Sequence, residues 1–197
     1  MKVVSSPRYA IDIGPHVFPT EKYRRIYDRL LATPRPGLEG IIAPQAAAWD
    51  ELALVHTAEY LEKVRTLCLS SEEIVELQLP LNAPIVEGFR LMTGGTLTAA
   101  RLGLADGLAC HVGGGFHHAF ANHGEGFCLF NDVVVAIEVL RLANELLGFW
   151  ADNTTVNLAV WTGLNDGLVG LRSGNAWPDI DSYDRDDVRD GSGWTHS

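Results

Sequence analysis

The chain carries two adjacent histidines, His117 and His118, directly after a glycine run, in the sequence GGGFHHA at residues 113–119. Imidazole titrates near pH 6.5, so a neighbouring pair can offer both a base and an acid at neutral pH. Glycine permits a sharp backbone turn at which a Cβ atom would clash. The pattern therefore predicts an acid–base site on a tight loop, with His117 and His118 as its catalytic residues.

A second run, GFCLFND at residues 126–132, follows closely. Together the two runs resemble the tandem-histidine motif of the histone deacetylase superfamily, which includes acetylpolyamine amidohydrolases and acetoin-utilisation proteins. Three more segments agree with that family in order and spacing: residues 14–24, HTAEYL at residues 56–61 and GGT at residues 94–96. The resemblance covers roughly residues 8–147.

The resemblance implies an α/β fold, the three-layer arginase/deacetylase-like type. It also implies that one motif histidine takes a proton from a zinc-bound water and that the other protonates the leaving amine. By position these histidines are His117 and His118. Phe127 matches the aromatic wall of the acyl-lysine tunnel, and Gly126 matches the backbone beside it, so both are predicted to bind substrate. The family's zinc ligands lie downstream in an Asp-x-His and a later Asp, and this sequence has no Asp-x-His. We therefore expect a truncated parallel sheet.

A metal site could still form from the histidines of the first part of the chain. Zinc binds three or four nitrogen, oxygen or sulfur ligands. The candidate ligands are His16, His117, His118 and His123, with Asp12, Glu125 and Asp132 nearby in sequence. The predicted cofactor is zinc or another divalent transition metal, and the alternative is that no metal binds.

Three functions remain open at this point. A metal-bound hydroxide would attack activated esters or phosphoesters more readily than acetyl-lysine, because their leaving groups need no proton. The preferred hypothesis is therefore a metal-dependent hydrolase of small molecules such as aryl esters or phosphotriesters. The alternatives are a catalytically inactive remnant of the deacetylase family and an amidohydrolase completed by a second polypeptide.

Composition narrows the possible partners and location. The net charge of −10 argues against nucleic acid and anionic membranes as partners. No apolar run approaches the ~18 residues of a membrane span, and the apolar stretch at the N-terminus is too short for a signal peptide. Three cysteines without metal-type spacing suit a reducing compartment, so a cytoplasmic location is predicted.

The local patterns predict the elements of a first domain, residues 1–148. We expect a strand at 8–13, a helix capped by Thr20, a helix at 45–55 and a helix capped by Thr57. A long helix should run from about Pro84 to Ala105, closed by Asp106 and Gly107. A buried strand, Leu108–Val112, should follow, and then a helix capped by Asp132 that runs through Leu147 to a stop at Gly148. Leu31 should lie on the buried face of the helix capped by Thr20, and Leu67 on the buried face of the helix capped by Thr57.

Residues 149–197 form a second, divergent segment with eight Asp, no Glu and no Lys. One strand is predicted, Val156–Trp161, with no periodicity beyond Gly163 and disorder from Asp181 to Ser197. This composition fits either a truncated gene with an unrelated tail or a divergent, selected C-terminus. Since a shortened sheet would expose an edge and apolar faces, a homodimer is expected.

Overall fold

The computed structural model describes residues 1–33 and 36–143 and the backbone of residues 168–172. These residues form one sheet in the order β2-β1-β3-β4, with bounds Lys2–Val4 (β1), Gly40–Ile42 (β2), Leu108–Val112 (β3) and Leu168–Arg172 (β4). β1 is parallel to both β2 and β3, whereas β4 is antiparallel to β3. The three parallel strands agree with the expected short parallel sheet.

Along the sequence, most helices of the described residues lie between β2 and β3. They are α1 Glu21–Ala32, α2 Trp49–Leu52, α3 Ala58–Arg65, α4 Ser71–Leu77, α5 Ala83–Asp106 and α6 Asp132–Leu142. The longest, α5, packs against β1, β3 and α6, and most of its apolar side chains are buried there. It therefore forms the centre of the hydrophobic core.

The predictions for α5 and β3 are confirmed. The Asn82 side chain accepts a hydrogen bond from the Ile85 backbone at 3.0 Å and so caps α5. Gly107 ends the helix with a φ of 83°, a left-handed conformation that glycine adopts without strain. β3 then occupies the predicted residues, and the glycine loop begins at its carboxyl end.

The predicted strand at residues 8–13 is wrong. A 3-10 turn, Pro7–Tyr9, occupies this position, and the Ser6 side chain accepts a hydrogen bond from the Arg8 backbone at 3.2 Å. Proline has no backbone N–H to give to a sheet, so the chain turns there instead. The strand of this region is β1, which ends before the predicted strand would begin.

The helix predicted at residues 45–55 is reduced to α2. The segment before it stays extended because it bonds to α5: Ala47 donates its backbone N–H to the Arg90 carbonyl at 2.9 Å and accepts from the Arg90 guanidinium at 2.9–3.0 Å. Tertiary hydrogen bonds to the neighbouring helix here outweigh local helix propensity.

The predicted starts of α1 and α3 are correct, although only one of the two predicted caps forms. Thr57 accepts from the Tyr60 backbone at 3.3 Å and caps α3. Thr20 directly precedes α1, but its hydroxyl donates to the Ile11 carbonyl instead of capping the helix. Two expected core residues are exposed: Leu31 by 61% and Leu67 by 43%.

The cap of α6 is Asn131 rather than Asp132. The Asn131 side chain accepts from the Val134 backbone at 3.2 Å, while Asp132 is completely buried. The continuation to Leu147 and Gly148 and the strand Val156–Trp161 lie outside the described residues, as does the stretch from 181 to 197. The sequence shows no periodicity beyond Gly163, yet β4 lies there and pairs along the whole length of β3.

Candidate functional site

The loop that carries the tandem histidines leaves the sheet at the carboxyl end of β3. Gly113 and Gly115 adopt φ values of 136° and 95°, which side chains rarely tolerate. A Cβ atom on Gly114 would lie 2.4 Å from Thr96 Oγ1 and 2.5 Å from Asp132 Oδ2. The three glycines are therefore required by backbone geometry and by close contact with buried polar groups.

His117 and His118 lie side by side on the surface of this loop. Both side chains are exposed, and their ring centroids are 4.3 Å apart with an angle of 34° between the planes. His117 Nδ1 lies 3.0 Å from the carbonyl oxygen of Gly115. A carbonyl can only accept, so Nδ1 carries a proton and Nε2 of the neutral ring presents its lone pair. The structure thus brings the two predicted catalytic residues together and fixes the tautomer of one.

The side chains of Asn131 and His56 form hydrogen bonds to backbone carbonyls of the histidine loop. Asn131 Nδ2 donates to the carbonyl oxygens of His117 at 3.3 Å and Ala119 at 3.0 Å. The buried His56 donates from Nδ1 to the Phe120 carbonyl at 3.0 Å and accepts from the Asn131 backbone at its Nε2 at 3.1 Å. The start of α6 and the segment before α3 therefore fix the backbone that presents the histidine pair.

A buried chain of hydrogen bonds runs beneath the loop from Tyr9 to Asp132. Asp132 Oδ2 accepts from the Thr96 hydroxyl and from the Gly115 backbone at 2.9 Å. Since the single Thr96 proton is used there, Thr96 Oγ1 accepts from His111 Nδ1 at 3.0 Å. His111 Nε2 is then an acceptor, and the Tyr9 hydroxyl donates to it at 2.9 Å. Each member of the chain has a partner, and the direction of every bond is determined.

Burial shifts the pKa values of His111 and Asp132, two members of this hydrogen-bonded series. It lowers the pKa of His111 to about 3, so the ring is neutral at physiological pH. Burial also raises the pKa of Asp132, and the donors around the carboxylate oppose that shift. Because all the neighbouring groups donate to Asp132 and none accepts from it, the surroundings fit the ionised carboxylate.

The predicted substrate-binding residues lie beside the histidine pair. A Cβ atom on Gly126 would be 3.6 Å from Cγ of His118, and Phe127 has a φ of 69°. The Phe127 ring stacks on Phe18 at 5.9 Å and meets His16 edge-on at 4.9 Å. His16, Phe18 and Phe127 thus form an aromatic wall on the turn whose Gly126 faces His118.

The turn that carries this wall is bonded to α4, an element absent from the predictions made from local patterns. Backbone N–H groups of Gly126 and Phe127 donate to the carbonyls of Glu76 at 3.2 Å and Leu77 at 2.9 Å. The sequence does carry a signal for α4, because Ser70 and Glu73 have the spacing of a capping box. In the structure Ser70 Oγ accepts from the Glu73 backbone N–H at 3.2 Å, and Glu73 Oε2 accepts from the Ser70 backbone N–H at 2.7 Å.

The candidate ligand His16 has both ring nitrogens engaged. Nε2 donates to the Gln78 carbonyl at 2.8 Å, and Nδ1 accepts from the Phe18 backbone at 3.0 Å. In this arrangement His16 serves as part of the aromatic wall, and neither nitrogen is free for a metal.

His123 lies with two carboxylates instead of with the histidine pair. Its Nε2 is 3.6 Å from Glu76 Oε1 and 3.7 Å from Glu125 Oε2. Within residues 1–33 and 36–143, this is the one group whose three possible metal-binding atoms lie within 4.8 Å of one another. His117 and His118 belong to no such group there, so the described residues do not fit a zinc ion at the tandem histidines. The metal prediction itself stays a prediction.

Cys128, beside the site in sequence, is buried, and burial raises the pKa of its thiol to about 12. A thiol that stays protonated is a poor nucleophile. Cys128 is therefore an inert residue of the core.

Comparison with known proteins decides the family. Residues 16–147, more than half of the chain, match the family described as the histone deacetylase domain. The chain belongs to the histone deacetylase family. The matched region contains every residue of the histidine loop, the aromatic wall and α6.

Two curated relatives show how far the similarity extends along this chain. An uncharacterized protein of Picosynechococcus is 34% identical over 149 residues, which are 74% of this chain and 50% of that protein. The acetoin utilization protein AcuC of Bacillus subtilis is 37% identical over 138 residues, which are 64% of this chain and 35% of AcuC. The chain spans half or less of the length of these relatives.

A solved histone deacetylase homologue supports the fold. The crystal structure of the homologue from Aquifex aeolicus aligns with a TM-score of 0.56 at 23% identity, covering 72% of this chain and 41% of that chain. The α/β, deacetylase-like fold class predicted from the motifs is confirmed. None of the helices in the described residues has the length and apolar character needed to cross a bilayer. The cytoplasmic location and the partners stay predictions.

Proposed function

We propose that this chain is a hydrolase of the deacetylase type in which His117 and His118 transfer the protons. One observation supports this most directly. His117 Nδ1 is bound to the Gly115 carbonyl at 3.0 Å, and the His118 ring lies 4.3 Å away. One imidazole is thus oriented as a base, with a second beside it that can act as an acid.

The reaction proceeds by acid–base catalysis at an acyl carbon. His117 Nε2 takes a proton from a water molecule as the oxygen of that water attacks. Protonated His118 gives a proton to the leaving oxygen or nitrogen, and the products are an acid and an alcohol or amine. The family implies zinc, which would activate the water, but the described residues do not fit it at this pair.

The substrate class follows from the leaving group. A water molecule activated by imidazole alone is a weaker nucleophile than a metal-bound hydroxide, so activated substrates are favoured. The phenolate of an aryl ester leaves with little need of a proton, whereas the lysine amine of acetyl-lysine leaves only when its nitrogen receives a proton. The proposed substrates are therefore small activated esters whose acyl or aryl part packs against Phe127 and Phe18. Phosphotriesters are a second class of substrate with an activated leaving group. The turnover assay for aryl esters also tests whether the activity depends on zinc.

The test is turnover of an aryl acetate, followed by phenolate release, in the wild type and in His117→Ala and His118→Ala. We expect each variant to lose roughly 10²- to 10⁴-fold in kcat, the usual contribution of a general acid or base. Glu62→Ala, an exposed change on α3, is the control. Wild-type turnover in both histidine variants would overturn the proposal.

Parallel assays separate the alternatives. An acetyl-lysine peptide tests amide cleavage, a phosphotriester tests the second class, and a chelator tests metal dependence. A wild-type chain inactive on all substrates would favour the inactive remnant. Activity that appears only after a second polypeptide is added would favour the completed amidohydrolase.

A further inference from the structure

The peptide unit between Gly115 and Phe116 joins two polar groups that lie on opposite sides of it. Its N–H, on Phe116, donates to Asp132 Oδ1 at 2.7 Å. Its C=O, on Gly115, accepts from His117 Nδ1 at 3.0 Å. The described residues contain no cis peptide bond, so this unit is trans and its N–H and C=O point in opposite directions.

We propose that Asp132 is a positioning residue for His117 and acts on it through the Gly115–Phe116 peptide unit. The connection runs from carboxylate to peptide to imidazole. The consequence for catalysis rests on the proposed function above. The orientation of His117 does not, because it can be measured without any substrate.

The effect on His117 follows from hydrogen-bond polarisation. An N–H that donates to a carboxylate forms a charge-assisted bond, which pulls electron density toward the carbonyl of the same peptide group. The Gly115 carbonyl thereby becomes a better acceptor for His117 Nδ1–H. This favours the tautomer with the proton on Nδ1 and leaves Nε2 as the base. The bonds also fix the peptide plane, and with it the direction of the His117 ring.

Asp132 is itself held firmly enough to play this role. It is fully buried, and its Oδ2 accepts from Thr96 and from the Gly115 backbone. Thr96 is oriented in turn by His111, and His111 by Tyr9. Gly114 leaves no space for a side chain between these groups. The carboxylate therefore has one arrangement, and the peptide unit takes its orientation from it.

Asp132→Asn is the sharpest variant, because it preserves shape and changes only the acceptors. An amide has a single oxygen, so the new side chain must turn its NH₂ group toward a backbone N–H or the Thr96 hydroxyl. Thr96→Val removes the hydroxyl that orients Asp132, and Thr96→Ser restores it. Thr93→Val is the matched control, since Thr93 is buried on the same helix and, among the described residues, its hydroxyl bonds only to the Phe89 carbonyl, at 2.9 Å.

The readouts are the ¹⁵N shifts of the His117 ring, which report the tautomer, and aryl ester kinetics with thermal unfolding. We expect wild type, Thr93→Val and Thr96→Ser to keep the Nδ1–H form. Asp132→Asn and Thr96→Val should shift toward a mixture of tautomers. In the same two variants kcat should fall about 10- to 100-fold, as is typical for residues that orient a functional histidine, with KM within about twofold.

The outcomes distinguish this proposal from the proposed function. A wild-type tautomer in folded Thr96→Val and Asp132→Asn overturns the positioning role, whatever the activity. If Asp132→Asn does not fold, the Thr96→Val and Thr96→Ser pair decides alone. A tautomer shift in a chain that has no esterase activity upholds positioning and rejects the proposed function. A shift without any loss of kcat in an active enzyme overturns the catalytic consequence.

Discussion

The hydroxyl of Tyr9 donates to Nε2 of His111 at 2.9 Å, and both side chains are completely buried. The two residues are 102 positions apart, and the bond joins the turn after β1 to the third strand. It fixes His111 as a neutral ring that accepts at Nε2 and donates at Nδ1. The direction of the hydrogen bonds that run from Tyr9 to Asp132 below the histidine loop depends on this contact.

The first prediction concerns acid stability. The pKa of His111 is about 3 in the folded protein, below the ordinary value of 6.5, because the ring is buried. Between these values the unfolded chain binds more protons, so stability falls as the pH falls from 6.5 toward 3. From pH 7 to pH 4.5 the loss from His111 should be about 2–3 kcal/mol.

Chemical denaturation of wild type and His111→Gln at both pH values measures this contribution. His56 also has a pKa lowered by burial, and Asp132 has a raised pKa with the opposite pH dependence. Both groups remain in the variant, so the difference in slope reports His111 together with its effect on Asp132 through Thr96. Equal slopes in the two proteins would contradict the prediction.

The second prediction concerns Gly114. A Cβ atom there would meet Thr96 Oγ1 at 2.4 Å and Asp132 Oδ2 at 2.5 Å, so Gly114→Ala must displace the buried carboxylate or the loop. We expect a loss of about 1–3 kcal/mol in unfolding free energy, as for other overpacked sites, and loss of turnover. Gly40→Ala is the control, because nothing lies within 4 Å of its Cβ position. Thermal unfolding and ester turnover of both variants decide the matter.

The third prediction separates the two tasks of Asn131. Its side-chain oxygen caps α6, and its amide donates to the His117 and Ala119 carbonyls. Asn131→Asp keeps the cap but turns a carboxylate oxygen toward two carbonyls, so we expect about 1–3 kcal/mol of destabilisation and lower kcat. Asn82→Asp, which changes a residue acting as the cap of α5, should remain within about 0.5 kcal/mol of wild type. Similar behaviour of the two variants would show that the loop bonds are unimportant.

The fourth prediction is the homodimer expected from the shortened sheet. The chain has a mass of 21.5 kDa. Light scattering across micromolar concentrations should therefore give about twice that mass, and a monomer mass at every concentration would reject the prediction.

Local sequence patterns were sufficient for elements whose signals lie within the element itself. Pro84 and Gly107 mark the ends of α5, and an apolar run between glycines marks β3. The glycine–histidine run identified the site, because few other tasks require three glycines before two imidazoles. The elements that were missed are short, such as β1 and β4, and owe their existence to pairing with distant strands.

The sequence alone determined the family, the fold class, and the place of His117, His118, Gly126 and Phe127 on one loop region. Tertiary structure decided the partners of those residues. Asp132 looked like a helix cap because its local neighbours suit a cap, yet burial and three donors from distant segments give it another role. His16 and His123 looked like equivalent ligands, but one is held by backbone groups and the other lies between carboxylates. Hydrogen bonds between residues far apart in sequence leave no periodic pattern, so only the folded chain reveals them.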